Sequence, residues 1–110
     1  MSKEQTEPEQ PIAPPASLSE KAQAIWLDLV PRRCRSLARR ELLAVALAAL
    51  DRADAAQRQI EQQGMVLVSP KSGVAHVSPL VKVEADSRRL FAKLWGQLGL
   101  AWDQRIDGAQ

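Results

Sequence analysis

The stretch that decides the fold is ELLAVALAALDRADAAQRQIEQQG, residues 41–64. Leucines at positions 43, 47 and 50 recur at helical spacing, which predicts a helix with one buried face. The residues that extend or flank this face are Val45, Ala49, Ala53, Ala56 and Ile60. The alanines favour close approach of a second helix, and Gly64 supplies the stop. A helix from Glu41 to Gln63 would be about 34 Å long, and its start is predicted at Ser36 or Arg40.

Directly before this helix lies RRCRSLARR, residues 32–40, which we call the arginine connector. It holds five arginines and no acidic residue. Guanidinium groups bind phosphate bidentately, and their number sets the salt dependence of DNA affinity. We therefore predict DNA phosphate contacts at Arg32, Arg33, Arg35, Arg39 and Arg40. A solvated connector, structural ion pairs, or contact with RNA or a membrane surface are the alternatives.

A shorter helix is predicted before the connector. Ser17-Leu18-Ser19-Glu20 matches a capping box, so the helix is expected to start at Ser17 or just after it, and Pro31 ends it. Its apolar residues at helical spacing are Leu18, Ala22, Ile25, Trp26, Leu29 and Val30. Residues 1–16 hold four of the seven prolines and carry a net charge of −2, which leaves +4 on the rest of the chain. This composition predicts a disordered acidic tail.

Two short β-forming runs follow the long helix, at residues 65–68 and 74–77. The turn formers Pro70 and Gly73 between them predict a β-hairpin, which in isolation would be marginal and must pack on helices or on another subunit. Ser78-Pro79 then predicts the start of a third helix, and Gly99 its end, with Leu100 folding back as in a Schellman motif.

The predicted fold is mainly α: a short helix, then two long antiparallel helices with a small β-hairpin between them. The domain boundaries expected from the sequence are a disordered tail at 1–16, a helical DNA-binding and oligomerisation domain at 17–105, and a flexible end at 106–110. With 110 residues in all, the chain has little material for a deep catalytic pocket.

Catalytic and metal-binding patterns are missing from the sequence. His76 is the single histidine and Cys34 the single cysteine, and no Gly-rich phosphate loop is present. The acidic residues are scattered along helix faces rather than paired for two-metal chemistry. We therefore predict no catalytic residue, no metal site and no cofactor. Trp26 and Trp95 are predicted to pack in the core, with Trp102 the least certain.

Four further cations are candidates for additional DNA contacts if the fold brings them near the arginine connector: Lys71, Arg88, Arg89 and Lys93. An ordinary exposed surface is the favoured interpretation, both for Lys71 in the hairpin turn and for the three cations on the third helix. Glu84 and Arg88, for example, have the i, i+4 spacing of an exposed ion pair.

Several short motifs resemble one known family. They are Ala24-Ile25-Trp26 in the first helix, the long helix ending in Ile60-Glu61-Gln62-Gln63-Gly64, the β segment with Gly73, Ser78-Pro79, and Gln97-Leu98-Gly99-Leu100 followed by Arg105. In this order they resemble the small terminase subunit of tailed bacteriophages. Ala101-Trp102 stands where that family usually has Thr-Pro, and the arginine connector replaces a plainer turn.

The resemblance implies the non-catalytic half of a DNA-packaging machine in the cytoplasm of the bacterial host cell. Its implied partners are double-stranded viral DNA, the terminase large subunit with its ATPase and nuclease, and further copies of itself in a homo-oligomeric ring, with no membrane. One tail or both would meet the large subunit. Two alternatives stay open: a helix-turn-helix transcriptional regulator, and a phage structural adaptor that does not bind DNA.

Overall fold

The computed structural model describes residues 12–100, and within them the chain forms three helices and one hairpin. The elements are α1 (Glu20–Leu29), α2 (Leu37–Gln63), β1 (Val66–Val68), β2 (Ala75–Val77) and α3 (Pro79–Gln97). The predicted fold class is confirmed. Residues 1–11 of the predicted tail, and the end of the chain with Trp102 and Arg105, lie outside the described residues.

The start of α1 differs from the predicted capping box. Ser19, not Ser17, is the N-cap, and its Oγ accepts a hydrogen bond from the backbone N–H of Ala22 at 3.1 Å. The backbone N–H and the hydroxyl of Ser19 both donate to the carboxylate of Asp51, at 2.8 and 2.6 Å. Asp51 of α2 therefore accepts the hydrogen bond from the N-cap backbone N–H that a capping-box glutamate would accept, and this contact joins the first turn of α1 to α2.

Helix α2 begins and ends as predicted. Ser36 caps its start by accepting from the backbone N–H of Arg39, and Gly64 ends it with a positive φ of 92°. Its buried residues are Leu43, Ala46, Leu47, Ala49, Leu50, Ala53 and Ala56. Val45 was predicted beside this face, but it is 49% exposed and lies on the outer side of the helix.

Helix α3 packs antiparallel along α2, since Arg39 at the start of α2 contacts Leu98 and Asp54 in its middle contacts Arg88. Ser78 is its N-cap, with Pro79 in the first turn. At its end the N–H of Gly99 donates to the carbonyl of Gly96, and that of Leu100 to the carbonyl of Trp95. This is the predicted Schellman motif, and Leu100 is 1% exposed.

The hydrophobic core lies at the end of the bundle where α1, the start of α2 and the end of α3 meet. Its buried members are Leu18, Ala22, Trp26, Leu29, Val30, Cys34, Leu43, Leu47, Leu50, Leu98 and Leu100. Residues 12–18, which we call the strap, lie over this core before α1 begins. The Nε1 of Trp26 donates to the carbonyl of Ile12 at 2.9 Å, so this stretch of the predicted tail has a defined contact.

The hairpin at the other end has the predicted turn but little cover. β1 and β2 pair antiparallel, with Val66 opposite Val77 and Val68 opposite Ala75. These four side chains share one face, because directly opposed residues point to the same side of a sheet. All four residues are exposed. The three described helices therefore do not cover this apolar face.

Candidate nucleic-acid interface

The arginine connector is shaped by a tight turn after α1. The backbone N–H groups of Arg32, Arg33 and Cys34 all donate to the carbonyl of Leu29, at 3.1, 2.7 and 3.0 Å. The side chain of Cys34 is fully buried in the core. Together these contacts fix the backbone at the start of the connector and bury its cysteine. The five arginines are exposed or half-buried, and Ser36, Leu37 and Ala38 are exposed.

Two of the five arginines turn inward, towards the end of α3. A guanidinium nitrogen of Arg39 donates to the carbonyl of Leu98, and its Nε donates to the carbonyl of Arg33 at 3.0 Å. Arg33 donates to the carbonyl of Gly99 at 3.3 Å. Carbonyls at a helix C-terminus have no partner within the helix and carry partial negative charge, which a guanidinium stabilises. Arg33 and Arg39 therefore hold the connector to the end of α3.

The other three arginines are directed outward to different degrees. Arg32 forms an i, i+4 ion pair with Asp28 at 2.7 Å, and both side chains are about two-thirds exposed, at 63% and 66%. Arg40 is half-buried and its Nε lies 3.5 Å from the carbonyl of Ser36. Arg35 is exposed and has no hydrogen bond or ion pair with any residue in the range 12–100. These three guanidinium groups remain accessible to a ligand from solvent.

The additional cations lie at different distances from this surface. Lys71 is in the hairpin turn, at the opposite end of α2, a helix about 40 Å long. Arg89 pairs with Asp86 at 2.5 Å. Lys93 is exposed near the C-terminal end of α3, which is the end that Arg39 contacts. Of the four, Lys93 is the one that the antiparallel packing of α2 and α3 brings to the connector end.

Arg88 takes part in a charged network that joins all three helices. It donates to Glu84 at 3.1 Å, as the spacing predicted, and also to Asp54 at 3.3 Å and Gln57 at 2.7 Å. Lys21 of α1 donates to the same Asp54 carboxylate at 2.9 Å. The hydrogen bond from Lys21, with support from Arg88, lowers the pKa of Asp54. Glu84 and Asp54 raise the pKa of Arg88.

The remaining residues singled out from the sequence have structural surroundings. Trp26 is 5% exposed, and Trp95 packs against Phe91 with ring centroids 5.0 Å apart, so the predicted core positions of both are confirmed. His76 is exposed on β2 opposite Leu67. Among residues 12–100, no three His, Cys, Asp or Glu side chains come together as a metal site. Within the same range, no helix combines the length and the apolar composition that a membrane span requires.

A shallow groove runs beside the connector, where the strap approaches the start of α2. It is lined by Ile12, Ala13, Pro14, Pro15, Trp26, Leu37, Arg40 and Glu41. Ile12 and Leu37 are 44% and 65% exposed. The strap therefore brings the N-terminal part of the chain next to one of the outward arginines, an arrangement that spacing along the sequence did not indicate.

Comparison with known protein families identifies the chain's family. A family model described as phage terminase, small subunit, matches residues 22–107, which is most of the chain. Searches of curated proteins and of solved structures found no match. The matched range includes nearly all of α1, the arginine connector, α2, the hairpin and α3. The chain therefore belongs to the family of phage terminase small subunits.

Proposed function

We propose that this terminase small subunit binds double-stranded viral DNA through the arginine connector and assists a large subunit that carries the ATPase and nuclease. In this proposal the small subunit itself is non-catalytic and works in the cytoplasm of the host cell. The observation that carries the proposal is the set of outward arginines, Arg32, Arg35 and Arg40, in a segment without an acidic residue. Guanidinium groups so exposed suit the phosphate backbone of DNA, which carries no sequence information.

In this proposal the five connector arginines have two different roles. Arg32, Arg35 and Arg40 contact phosphate directly. Arg33 and Arg39 keep the connector in place through the carbonyls at the end of α3. Arg32 would exchange its exposed ion pair with Asp28 for a phosphate. Lys93 is the best placed of the additional cations because it lies near the connector end of α3, whereas Arg88 lies against Asp54 in the middle of α2. Lys71 at the hairpin would reach only DNA that extends along the whole bundle.

The salt dependence of DNA binding tests the phosphate contacts. Each arginine–phosphate pair steepens the plot of log affinity against log salt by about 0.9. The variant R32A/R35A/R40A should therefore have a slope shallower by about 2.7 than that of wild type. If the two lines meet near 1 M salt, the affinity of the variant at 0.1 M is lower by roughly 500-fold.

The matched control is R52A/R58A/K82A, which removes the same charge from exposed positions further along α2 and in the first turn of α3. We expect its slope to stay close to that of wild type. An equal or larger reduction of affinity in the control would place the DNA contact elsewhere. Salt-insensitive or absent binding by wild type would favour the structural adaptor.

Self-association is the second part of the proposal, and the hairpin supports it. Met65, Val66, Val68, Val74 and Val77 are between 56% and 62% exposed, the densest group of exposed large apolar residues in the described part of the chain. An apolar two-stranded sheet with two free edges is marginal in water and pairs readily with another chain. We propose that hairpins and long helices make the subunit contacts of a homo-oligomeric ring.

Light scattering on V66T/V68T/V77T tests this surface. Threonine keeps the branched shape and β-propensity of valine but adds a hydroxyl that disfavours burial. We expect wild type to have the mass of an assembly above a dimer, and this variant to have a lower mass. The comparison variant V45T/V83T makes the same change on the exposed sides of α2 and α3, and we expect it to lower the mass less, because Val45 and Val83 are less exposed than the hairpin valines, which share one face. A dimer that reads a palindromic site would instead indicate the transcriptional regulator.

The tails are the proposed contacts for the large subunit. A pull-down with the large subunit should weaken when residues 1–16, 101–110 or both are deleted. Unchanged binding after both deletions would show that the helical body makes this contact instead.

A further inference from the structure

The net charge differs in sign between the first residues of this chain and its helical body. Residues 1–11 contain Glu4, Glu7 and Glu9 against Lys3, a net charge of −2. Residues 12–100 contain 13 Lys and Arg against eight Asp and Glu, a net charge of +5. The first eleven residues therefore carry the charge that complements the helical body.

The strap sets where these residues join the body. The hydrogen bond from Trp26 Nε1 holds the carbonyl of Ile12 at 2.9 Å. Ile12 and Arg40 line the same shallow groove at the start of α2. Residues 1–11 consequently join the described structure beside the arginine connector rather than beside the hairpin, which lies at the far end of α2.

The acidic side chains are within reach of the connector. Glu9 is three residues before Ile12 and Glu4 is eight residues before it, which gives maximum spans of about 10 and 26 Å at about 3.3 Å per residue. Arg35 has no partner among residues 12–100, and Arg40 has only a long contact to a carbonyl. In the groove the charge of Arg40 is balanced by that of Glu41, so Arg35, Arg40 and Glu41 together carry a net charge of +1.

We propose that residues 1–11 occupy the surface around Arg35 and Arg40 when DNA is absent, through Glu4, Glu7 and Glu9, and that DNA phosphates must displace them. This inference rests on the proposed DNA-binding role of the connector. Exposed ion pairs are individually weak and are screened by salt. Because residues 1–11 are covalently joined to the strap, however, their carboxylates stay at a high local concentration near the connector. The acidic segment therefore acts as a built-in competitor that lowers non-specific DNA affinity at low salt.

DNA affinity of the full chain with E4Q/E7Q/E9Q tests the competition. The glutamines keep the length and size of the segment and remove its charge. We expect binding about ten times tighter than wild type at roughly 50 mM salt, and equal to wild type at roughly 300 mM, where the competing ion pairs are screened. Equal affinity of variant and wild type at low salt would overturn the proposal.

The single substitutions E9Q and E61Q separate a local contact from a change in overall charge. Glu61 is 21 residues beyond Arg40 on α2, about 32 Å along the helix axis. That distance is roughly three Debye lengths at about 0.1 M salt. E9Q should tighten DNA binding about two- to threefold and E61Q should change it little. Equal effects would mean that only net charge matters, against the proposal.

A measurement without DNA distinguishes failure of this proposal from failure of the proposed function. The NMR signals of the Arg35 and Arg40 side-chain Nε–H groups should differ between wild type and E4Q/E7Q/E9Q at low salt, independent of protein concentration. If they do differ and wild type does not bind DNA, the proposed function fails and the contact with residues 1–11 stands. If they are identical, the contact is disproved even when DNA binding is strong. A difference that grows with protein concentration would assign the contact to a second copy and overturn the intramolecular proposal.

Discussion

The arginine connector and the hairpin lie at opposite ends of α2, and their side chains differ in burial and in hydrogen bonding. At the connector, Cys34 is fully buried and Arg33 and Arg39 donate to carbonyls 66 and 59 residues away in sequence. At the hairpin, Val66, Val68 and Val77 are more than half exposed. At the connector end, next to the hydrophobic core, charged side chains are therefore fixed by hydrogen bonds. At the hairpin end, away from the core, apolar side chains are exposed to solvent.

From this contrast we expect the connector end to determine the stability of the single chain and the hairpin end to determine its self-association. The connector end holds the core of the single chain, so its integrity should not depend on a partner. The hairpin end leaves apolar surface that α1, α2 and α3 do not cover. Substitutions of buried residues at the connector end are therefore expected to destabilise the protein, whereas substitutions at the hairpin end are expected to change its self-association.

The largest expected difference comes from leucine truncation at the two ends. Leu100 is 1% exposed and closes the Schellman motif against the core, so L100A should lower the free energy of unfolding by about 3 kcal/mol. Leu67 in β1 is only partly buried, so L67A should lower it by less than about 1 kcal/mol. Urea unfolding at one fixed protein concentration measures both values. Similar reductions would mean that the hairpin is part of the cooperative core.

Arginine truncation should separate the inward from the outward side chains. R39A leaves the carbonyls of Leu98 and Arg33 without a charged donor, and we expect a reduction of about 2 kcal/mol in the free energy of unfolding. R35A, its matched control in the same connector, should change stability by less than about 0.5 kcal/mol. R35A should reduce DNA affinity more than R39A does, when both variants are measured at a temperature where R39A remains folded. A destabilising R35A would contradict the assignment of Arg35 as an outward side chain.

The element boundaries could be predicted because local chemistry sets them. Ser36 and Ser78 cap helices through their own side chains, and Gly64 and Gly99 end helices with a positive φ. Each of these signals lies within a few residues of the boundary that it determines. The order of helices and hairpin followed from them and from the leucine spacing.

The roles of individual site residues could not be predicted, because their partners are distant in sequence. Nothing near Arg39 indicates that its guanidinium meets Leu98, and nothing near Ser19 indicates that Asp51, 32 residues later, accepts from it. The sequence therefore predicted five equivalent arginines in the connector. The fold divides them into two that hold the end of α3 and three that face solvent. Exposure of the hairpin valines was likewise open until the packing of the helices was known.

The network around Asp54 predicts a pH-dependent stability. Because folding lowers the pKa of Asp54 below its ordinary value of 3.8, the stabilisation is fully present above that pH and is lost as the pH falls through the folded value. D54N should reduce the free energy of unfolding at pH 7 by about 1.5 kcal/mol, and the difference from wild type should shrink below about pH 4.

Asp86 offers a control on the same helix bundle. Hydrogen bonds from Lys82 and Arg89 lower the pKa of Asp86, but all three residues belong to α3 and the carboxylate joins no second helix. D86N should therefore change the unfolding midpoint much less than D54N. Thermal unfolding across about pH 3 to 7 compares the two variants. A pH profile of D54N parallel to that of wild type would rule out Asp54 as the titrating group.

The smallest expected difference concerns the two glycines with positive φ in these regions. Gly99 has a φ of 77° and Gly73 a φ of 72°, and an added Cβ would meet no atom within 4 Å at either position. Alanine at each site therefore introduces the same left-handed backbone strain without a clash, about 1 kcal/mol.

At Gly99 the whole strain should appear in the free energy of global unfolding, because the Schellman motif places Leu100 in the core. At Gly73 the turn can open locally while the helices stay folded, so G73A should reduce the global value by less than about 0.5 kcal/mol. Hydrogen exchange should then show faster exchange at the amides of Gly73 and Ser69, which close the turn. Equal global reductions for G99A and G73A would mean that a covered hairpin unfolds together with the helices, as it would within an assembled ring.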